Sequence, residues 1–249
     1  MYLLAHSHID EMPVSRSRVL LVSSVIMLCV SYFAVRFPDY PYTSIISNVM
    51  ILGMAVPSFI HAVKWLGGRR GLFTLLVLSV LPLLVEAYAV TTGIPFGDFS
   101  YSDGLGLMLF GLVPVSVSFA YLPMLLGAVV IASHYGTGIA TRSALGGIVS
   151  AIVDLVIDPA TVANGLWVWE GGGAYYGVPV SNYAGWLLTG TVYTYIFMVL
   201  SGNPPEIPVG LVDSLVLILS FWSGFLLWRG LWFPAAVGLG LTAFCVALK

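Results

Sequence analysis

Long runs of apolar residues, separated by short polar segments, are the dominant pattern along this chain of 249 residues. Most runs approach the roughly 20 residues that a membrane-spanning helix needs. The pattern predicts an all-α fold, a polytopic membrane helix bundle of about eight transmembrane helices, over residues 18–36, 43–66, 71–92, 108–133, 143–163, 181–201, 209–228 and 231–248. A very tight turn at Arg229-Gly230 joins the last two runs, so seven spanning helices, with that pair partly re-entrant, is the alternative.

The domain organisation follows from the same pattern. A polar amino-terminal tail covers residues 1–17, and a single transmembrane helical domain covers residues 18–249, with its motif-bearing core at about 80–190. The first apolar run is long and has no small-residue cleavage site, which is typical of a retained anchor rather than a signal peptide.

Composition and charge exclude several classes of protein. Of all residues, 59% are hydrophobic and only 8% are charged, whereas a water-soluble domain carries about 25% charged residues. Mean hydropathy is +1.00. The net charge is −2, so nothing indicates binding to nucleic acid. A water-soluble enzyme or a nucleic-acid-binding module is therefore excluded.

Basic residues predict the orientation in the membrane. With the amino terminus in the cytoplasm, most Lys and Arg residues fall on the inner side, as the positive-inside rule expects, and only Arg36 and Arg229 fall outside. This places two long loops, near 93–107 and 164–180, together on the outer side of the cytoplasmic (plasma) membrane. Both loops are rich in Gly, Pro and aromatic residues, which favours a lined cavity mouth over an ordinary interfacial aromatic belt.

Three acidic residues lie within predicted spans: Glu86 in the third, and Asp154 and Asp158 in the fifth. An Asp at the centre of a spanning helix costs about 2.5–3.5 kcal/mol on insertion scales. Hydrogen bonding to neighbouring helices or a position near the interface would be a purely structural reason for them. The i, i+4 spacing of the two Asp residues puts them on one helical face, where they cannot easily both ionise and one is expected to keep a proton. A carboxylic acid held neutral is suited to general acid catalysis.

The residue types that are missing narrow the chemistry. The four histidines, His6, His8, His61 and His134, form no cluster of the kind that di-iron enzymes use, and no Gly-x-Gly-x-x-Gly motif follows a strand. The Asp-x-x-x-Asp spacing occurs in prenyltransferases, but their diphosphate substrate requires Mg²⁺ and basic partners, which both acid-bearing helices lack. We therefore expect no metal and no cofactor, and a chemistry of protons, water and aromatic surfaces.

The same motifs resemble a family, the membrane carotenoid-biosynthesis proteins that include bisanhydrobacterioruberin hydratase and the γ-carotene 1′-hydratases. The resemblance covers roughly residues 80–190 and is most specific over Asp154-Leu-Val-Ile-Asp158-Pro159. The other resembling segments are Glu86, Thr92-Gly-Ile-Pro-Phe-Gly-Asp-Phe-Ser-Tyr101, Leu105-Gly106, Phe110-Gly-Leu-Val-Pro114, Gly165-Leu-Trp167-Val-Trp169-Glu170, Tyr175-Tyr-Gly-Val-Pro179 and Asn182-Tyr-Ala-Gly185-Trp186.

The resemblance implies hydration of a terminal double bond of an acyclic carotenoid or other isoprenoid, giving a tertiary alcohol without a cofactor. In this interpretation Asp154 and Asp158 supply the proton, while Glu86 positions water or accepts its proton. Aromatic faces would stabilise the intermediate cation. The expected substrate-binding residues are Tyr101, Asp103, Trp167, Trp169, Glu170, Tyr175, Tyr176, Asn182 and Trp186.

Two alternatives stay open at this point. A carotenoid end-ring cyclase would use the same protonation, but a neighbouring double bond would quench the cation. A proton-coupled membrane carrier would not be an enzyme and would need a polar path across the whole membrane. The expected partners are a lipid-soluble carotenoid or polyprenoid and membrane lipid, with other carotenoid enzymes as candidates and no nucleic acid.

Overall fold

The computed structural model describes residues 14–38, 40–102 and 105–248. Residues 1–13 of the predicted tail (1–17) and Asp103 lie outside the described residues, whereas residues 14–17 of that tail belong to the first helix. Four short strands occupy the loops: β1 Phe99–Tyr101, β2 Met108–Leu109, β3 Val113–Pro114 and β4 Trp167–Trp169. The helices are α1 Val14–Arg36, α2 Thr43–Leu66, α3 Gly68–Thr92, α4 Ser116–Tyr135, α5 Ile139–Ala163, α6 Val180–Ser201, α7 Asp213–Trp228, which follows a 3-10 turn at Val209–Val212, and α8 Trp232–Ala247.

The described residues thus form eight helices, and the predicted all-α membrane bundle is confirmed. Seven of the eight are long and apolar enough to cross a membrane, α7 together with the preceding 3-10 turn as a span of 20 residues, Val209–Trp228. Helix α8 is a shorter apolar helix of 16 residues. The turn between α7 and α8 falls at the predicted Arg229-Gly230, where Gly230 has φ +73°. The chain is an integral membrane protein.

Burial separates central helices from peripheral ones. Helices α4 and α7 are the most enclosed, whereas α1, α2 and α3 expose most of their surface. Most of the large exposed hydrophobic side chains of these outer helices are Val, Leu, Ile and Phe. Such a surface suits contact with lipid tails, which are as apolar as the side chains themselves.

The start predicted for the fourth helix, at residue 108, is wrong. Residues 108–114 instead form an antiparallel hairpin of β2 and β3, with Met108 opposite Pro114, and α4 begins at Ser116. Two features break the helix: Gly111 has φ +68°, and Pro114 cannot donate the backbone hydrogen bond that a helix interior requires. Apolar character alone cannot distinguish such a hairpin from one more helical turn.

Glycines allow α5 and α6 to pack at close range. A Cβ atom added at Gly147 would collide with the Leu187 carbonyl and the Thr191 side chain of α6, and one added at Gly190 would collide with Ser150 of α5. Small residues at a helix–helix contact let the backbones approach each other in this way. The close approach brings the acid-bearing α5 next to the amino-terminal part of α6.

We expect Gly147→Ala and Gly190→Ala to lower stability by about 1–3 kcal/mol, the usual cost of overpacking. The matched control is Gly53→Ala in α2, since a Cβ there meets nothing within 4 Å and Ala favours helix by up to about 1 kcal/mol. Thermal unfolding in detergent would measure all three variants. Equal melting temperatures for Gly147→Ala and Gly53→Ala would contradict the close packing.

The side of the bundle opposite the two long loops is held together by Arg142 of α5, which is buried. Its guanidinium donates hydrogen bonds to the carbonyl oxygens of Gly136 (2.8 Å), Pro204 (2.6 Å) and Pro205 (2.9 Å) and to the side chain of Asn203 (3.1 Å). These bonds join the α4–α5 turn to the α6–α7 loop and satisfy a charge that burial would otherwise penalise.

The two long loops meet at the other side, where α3 and α5 end. Strand β1 of the first loop pairs antiparallel with β4 of the second, with Phe99 opposite Trp169 and Tyr101 opposite Trp167. The Trp169 indole nitrogen also donates to the Phe96 carbonyl at 2.9 Å. The prediction that these loops lie together on one side of the bundle is confirmed, and the paired loops cover the ends of α3 and α5.

Candidate active site

Three carboxyl groups are buried beneath the paired loops. Glu86 comes from α3, and Asp154 and Asp158 come from α5, and each of the three residues is at most 8% exposed. Glu86 and Asp158 line one cavity, whereas Asp154 lies one helical turn earlier and is not part of the cavity wall. The sequence does not distinguish the two Asp residues, but in the structure they occupy different positions relative to any molecule bound in the cavity.

Asn182, near the start of α6, connects the two Asp side chains. Its Nδ2 donates to Oδ2 of Asp154 at 2.6 Å and makes a second, very short hydrogen bond to Oδ2 of Asp158. The two carboxyl groups are also close enough to interact with each other. Two carboxylates cannot donate to each other, so a hydrogen bond between them needs one shared proton. The arrangement is a carboxylic acid pair held by one amide.

The other oxygen of Asp154, Oδ1, is buried and has no hydrogen-bond partner within residues 14–38, 40–102 and 105–248. A buried carboxylate oxygen without a donor is costly, so Asp154 is the less favourable of the two sites for a negative charge. The Trp167 side chain, whose indole N–H is a further donor, lies close to Asp158. The site therefore favours release of a proton from the Asp158 position, with Asp154 as its partner.

Glu86 faces the cavity from α3 and has a separate partner. The Tyr101 hydroxyl, at the end of β1, donates to its Oε2 at 3.0 Å. Burial, and then the charge of Glu86, raise the pKa of Tyr101 well above its ordinary value. Tyr101 therefore keeps its proton and remains a donor, which holds the Glu86 carboxyl group in one orientation.

The cavity has a volume of about 120 Å³. An apolar cavity of about 150 Å³ can bind benzene, so this one can enclose the branched end of a hydrocarbon chain but not a long polyene. Apart from a few polar groups, its wall is apolar and aromatic. The aromatic lining residues are Phe96, Phe99, Tyr101, Tyr121, Trp167, Trp169, Trp186 and Trp222.

Strand pairing places much of this aromatic wall. Tyr101 and Trp167 face each other across β1 and β4 with ring centroids 5.8 Å apart, and Phe99 and Trp169 do so at the same distance. Residues two apart on a strand point to the same face, so each strand presents both of its aromatic rings on one face. The sequence-predicted residues Tyr101, Trp167 and Trp169 reach the wall by this route.

The remaining predicted binding residues divide into two groups. Asn182 and Trp186 line the cavity, whereas the described residues Glu170, Tyr175 and Tyr176 do not. The side chains of Glu170 and Tyr176 are exposed. Tyr175 is half-buried, and its hydroxyl donates to the Leu155 carbonyl of α5 at 3.1 Å. These three residues belong to the loop that covers the site rather than to the cavity itself.

Sequence reasoning missed Phe96, Phe99 and Tyr121. The two Phe residues belong to the aromatic loop, and Phe99 shares the face of Tyr101 in β1, so the period-2 pattern could have identified it. Tyr121 lies in the apolar run of α4, where nothing distinguishes it from a packing residue. Its ring is stacked on Trp186 with centroids 5.0 Å apart and an interplanar angle of 17°.

The described part of the chain places no three His, Cys, Asp or Glu side chains where they could share a metal ion. The polar groups that reach the cavity are carboxyl, amide, hydroxyl and indole groups. Such a set can donate, accept and relay protons. The aromatic faces around it can stabilise a positive charge.

Comparison with known proteins gives a consistent result. Residues 45–245 match the family described as carotenoid biosynthesis protein. The bisanhydrobacterioruberin hydratase of Haloarcula japonica is 34% identical to this chain over 189 residues, which cover 70% of this chain and 63% of the hydratase. The chain thus spans less than two thirds of that relative's length. No solved structure matches.

Proposed function

Because this chain belongs to the carotenoid biosynthesis protein family, we propose that it adds water across a terminal double bond of an acyclic carotenoid or similar isoprenoid to give a tertiary alcohol. One observation carries the proposal: Asp158, one of two carboxyl groups held by Asn182, lines an apolar cavity the size of a chain end. The relative named as a hydratase supports the reaction type.

The first step is protonation of the double bond by Asp158. The carboxyl proton of Asp158 goes to the less substituted carbon, and the π electrons form the new C–H bond. The side-chain amide of Asn182, which donates to both Asp side chains, stabilises the carboxylate charge that remains after the proton has left. Burial in an apolar site keeps bulk water from taking this proton before the substrate does.

The second step is capture of the tertiary cation. The faces of Trp167, Trp169 and Trp186 lie on the cavity wall, and aromatic faces attract cations within about 6 Å. A water molecule then attacks the cation and loses a proton to Glu86, which faces the same cavity from the opposite helix. The oriented Glu86 carboxyl thus acts as the base of the reaction.

The substrate reaches the site from the membrane. A cavity of about 120 Å³ holds the reacting end, while the remainder of the chain stays between the helices and the lipid. Ile51 and Met54 of α2 and Trp222 of α7 also line the cavity. Entry between helices is natural for a polyene because it is soluble only in the hydrocarbon phase.

The test is expression in cells that accumulate an acyclic carotenoid, followed by mass spectrometry of the pigments. We expect a product heavier by one water molecule, with its oxygen derived from labelled water. An isomeric product of unchanged mass would indicate a cyclase instead. Unchanged pigments with at least two acyclic substrates, and with the protein confirmed in the membrane, would overturn the proposal.

A further inference from the structure

Two buried tyrosine hydroxyls near the cavity are not used by the mechanism above. Tyr121 of α4 is 4% exposed and Tyr193 of α6 is 3% exposed, and neither hydroxyl makes a well-formed hydrogen bond to any described residue. Thr189 lies beside Tyr121, but its own hydroxyl already donates to the Gly185 carbonyl at 2.9 Å. Buried polar groups are nearly always satisfied, so each of these hydroxyls needs an explanation.

The two tyrosines lie together and next to Glu86. Their rings meet edge to face with centroids 5.4 Å apart, and Tyr121 lines the same cavity as Glu86. Glu86 also interacts electrostatically with both phenols. Tyr121 and Glu86 therefore lie on the cavity wall, and Tyr193 packs against Tyr121 close enough to interact with the same carboxyl group.

A buried water typically makes about three hydrogen bonds to polar groups that are otherwise unsatisfied. We propose that Tyr121, Tyr193 and Glu86 bind the water molecule that captures the cation, and that the two tyrosine hydroxyls determine whether the cation ends as an alcohol. This inference rests on the proposed hydration, and it gives the attacking water molecule a binding site between these three side chains. It makes Tyr121 and Tyr193 positioning residues for water, not donors of the first proton.

The atoms balance in this scheme. Once Asp158 has transferred its proton, an oxygen lone pair of the bound water forms the C–O bond, and the protonated adduct releases one proton to Glu86. That proton returns to the carboxyl pair, so the net change is addition of one water molecule. Without a bound water, the cation returns to the unhydrated carotenoid: it loses a proton from an adjacent carbon and regenerates a double bond.

This competition gives a readout that packing alone would not alter. Protonation in D₂O followed by loss of a proton leaves deuterium in recovered, unhydrated carotenoid. Phe keeps the ring of Tyr121 stacked on Trp186 but removes the hydroxyl. We therefore expect Tyr121→Phe and Tyr193→Phe to form less alcohol, on the order of tenfold for one lost hydrogen bond, and to incorporate more deuterium into unreacted substrate.

Membranes containing each full-length variant would be incubated with an acyclic carotenoid in D₂O, and alcohol and deuterated substrate would be quantified by mass spectrometry. The matched control is Tyr195→Phe on the same helix as Tyr193, since Tyr195 is exposed on the outer surface; it should behave like the unmodified protein. A lower ratio of alcohol to deuterated substrate, in both Tyr variants and not in the control, is the expected result.

Two results would overturn the inference. Alcohol formation could fall with no rise in deuterium incorporation, which would mean that the hydroxyls act before or during protonation, or in packing. Alternatively, both variants could form alcohol at the unmodified rate. Failure of the proposed function itself is distinguishable, because the unmodified protein would then yield neither alcohol nor deuterated substrate.

Discussion

Asp158→Asn is expected to reduce alcohol formation by about 10²- to 10⁴-fold, the usual contribution of a positioned general acid. The amide keeps the size and shape of the carboxyl group but has no acidic proton to deliver to the double bond. Asp158 is the member of the pair on the cavity wall, so Asp154 cannot replace it without moving. The measurement is alcohol formed per amount of membrane-inserted protein, with the acyclic carotenoid as substrate.

Asp154→Asn separates the roles of the two residues. Because Asp154 lies behind the cavity wall, its amide variant loses the shared proton but leaves Asp158 in place, and we expect a smaller loss of activity than for Asp158→Asn. The matched control is Asp213→Asn, which changes another buried Asp of a membrane helix. Asp213 does not line the cavity, and its Oδ2 atom lies 3.8 Å from Nε2 of His61. Near-normal alcohol formation by Asp158→Asn would refute the assignment of the acid.

Asn182→Leu is the second change with a large expected effect. It removes the only amide that donates to both Asp side chains among the described residues and puts an apolar side chain of similar size against two buried carboxyl groups. Hydrogen bonds to charged groups contribute about 1.5–3 kcal/mol each. We expect the melting temperature in detergent to fall by several degrees and alcohol formation to fall with it.

Asn48→Leu is the control for the loss of a membrane-embedded amide. Among the described residues, Asn48 donates only to the carbonyl of Ser44 in its own helix at 2.8 Å, so its replacement should change stability little. Asn182→Asp is informative in addition, since a third carboxyl group at this point increases like-charge repulsion while preserving shape. If Asn182→Leu and Asn48→Leu melted at the same temperature, the amide would not be what holds the carboxyl pair.

The helical part of the fold could be predicted from sequence because a spanning helix is encoded locally, by length and apolar character. Helix α2 was predicted with the same ends as observed, Thr43 and Leu66. The start of α4 was predicted wrongly because length and apolar character were the only signals used. Residues 108–114 are apolar, but a positive φ at Gly111 and the hairpin pairing make them a loop, and hydropathy does not register either property.

The candidate site was predictable only in part. The acids Glu86, Asp154 and Asp158 are conspicuous in sequence because charge is rare in a membrane helix, and i, i+4 spacing placed two of them together. That only Asp158 reaches the cavity depends on how α5 is rotated against α6, which spacing does not specify. Tyr121 was not predictable for a related reason: its role depends on contacts with α6, more than sixty residues away in the chain.

The distribution of the site over three helices also bears on how the protein is made. Glu86 and the Asp pair belong to helices that enter the membrane at different times during synthesis, and Asn182 follows later still, with α6. Until α6 is in place, α5 must hold two Asp residues in lipid without their amide donor, at a cost of about 2.5–3.5 kcal/mol for each. Insertion of α5 therefore becomes favourable only when α6 brings Asn182 to its two Asp side chains. A ribosome-bound chain that ends before Val180 carries the acids but no functional site.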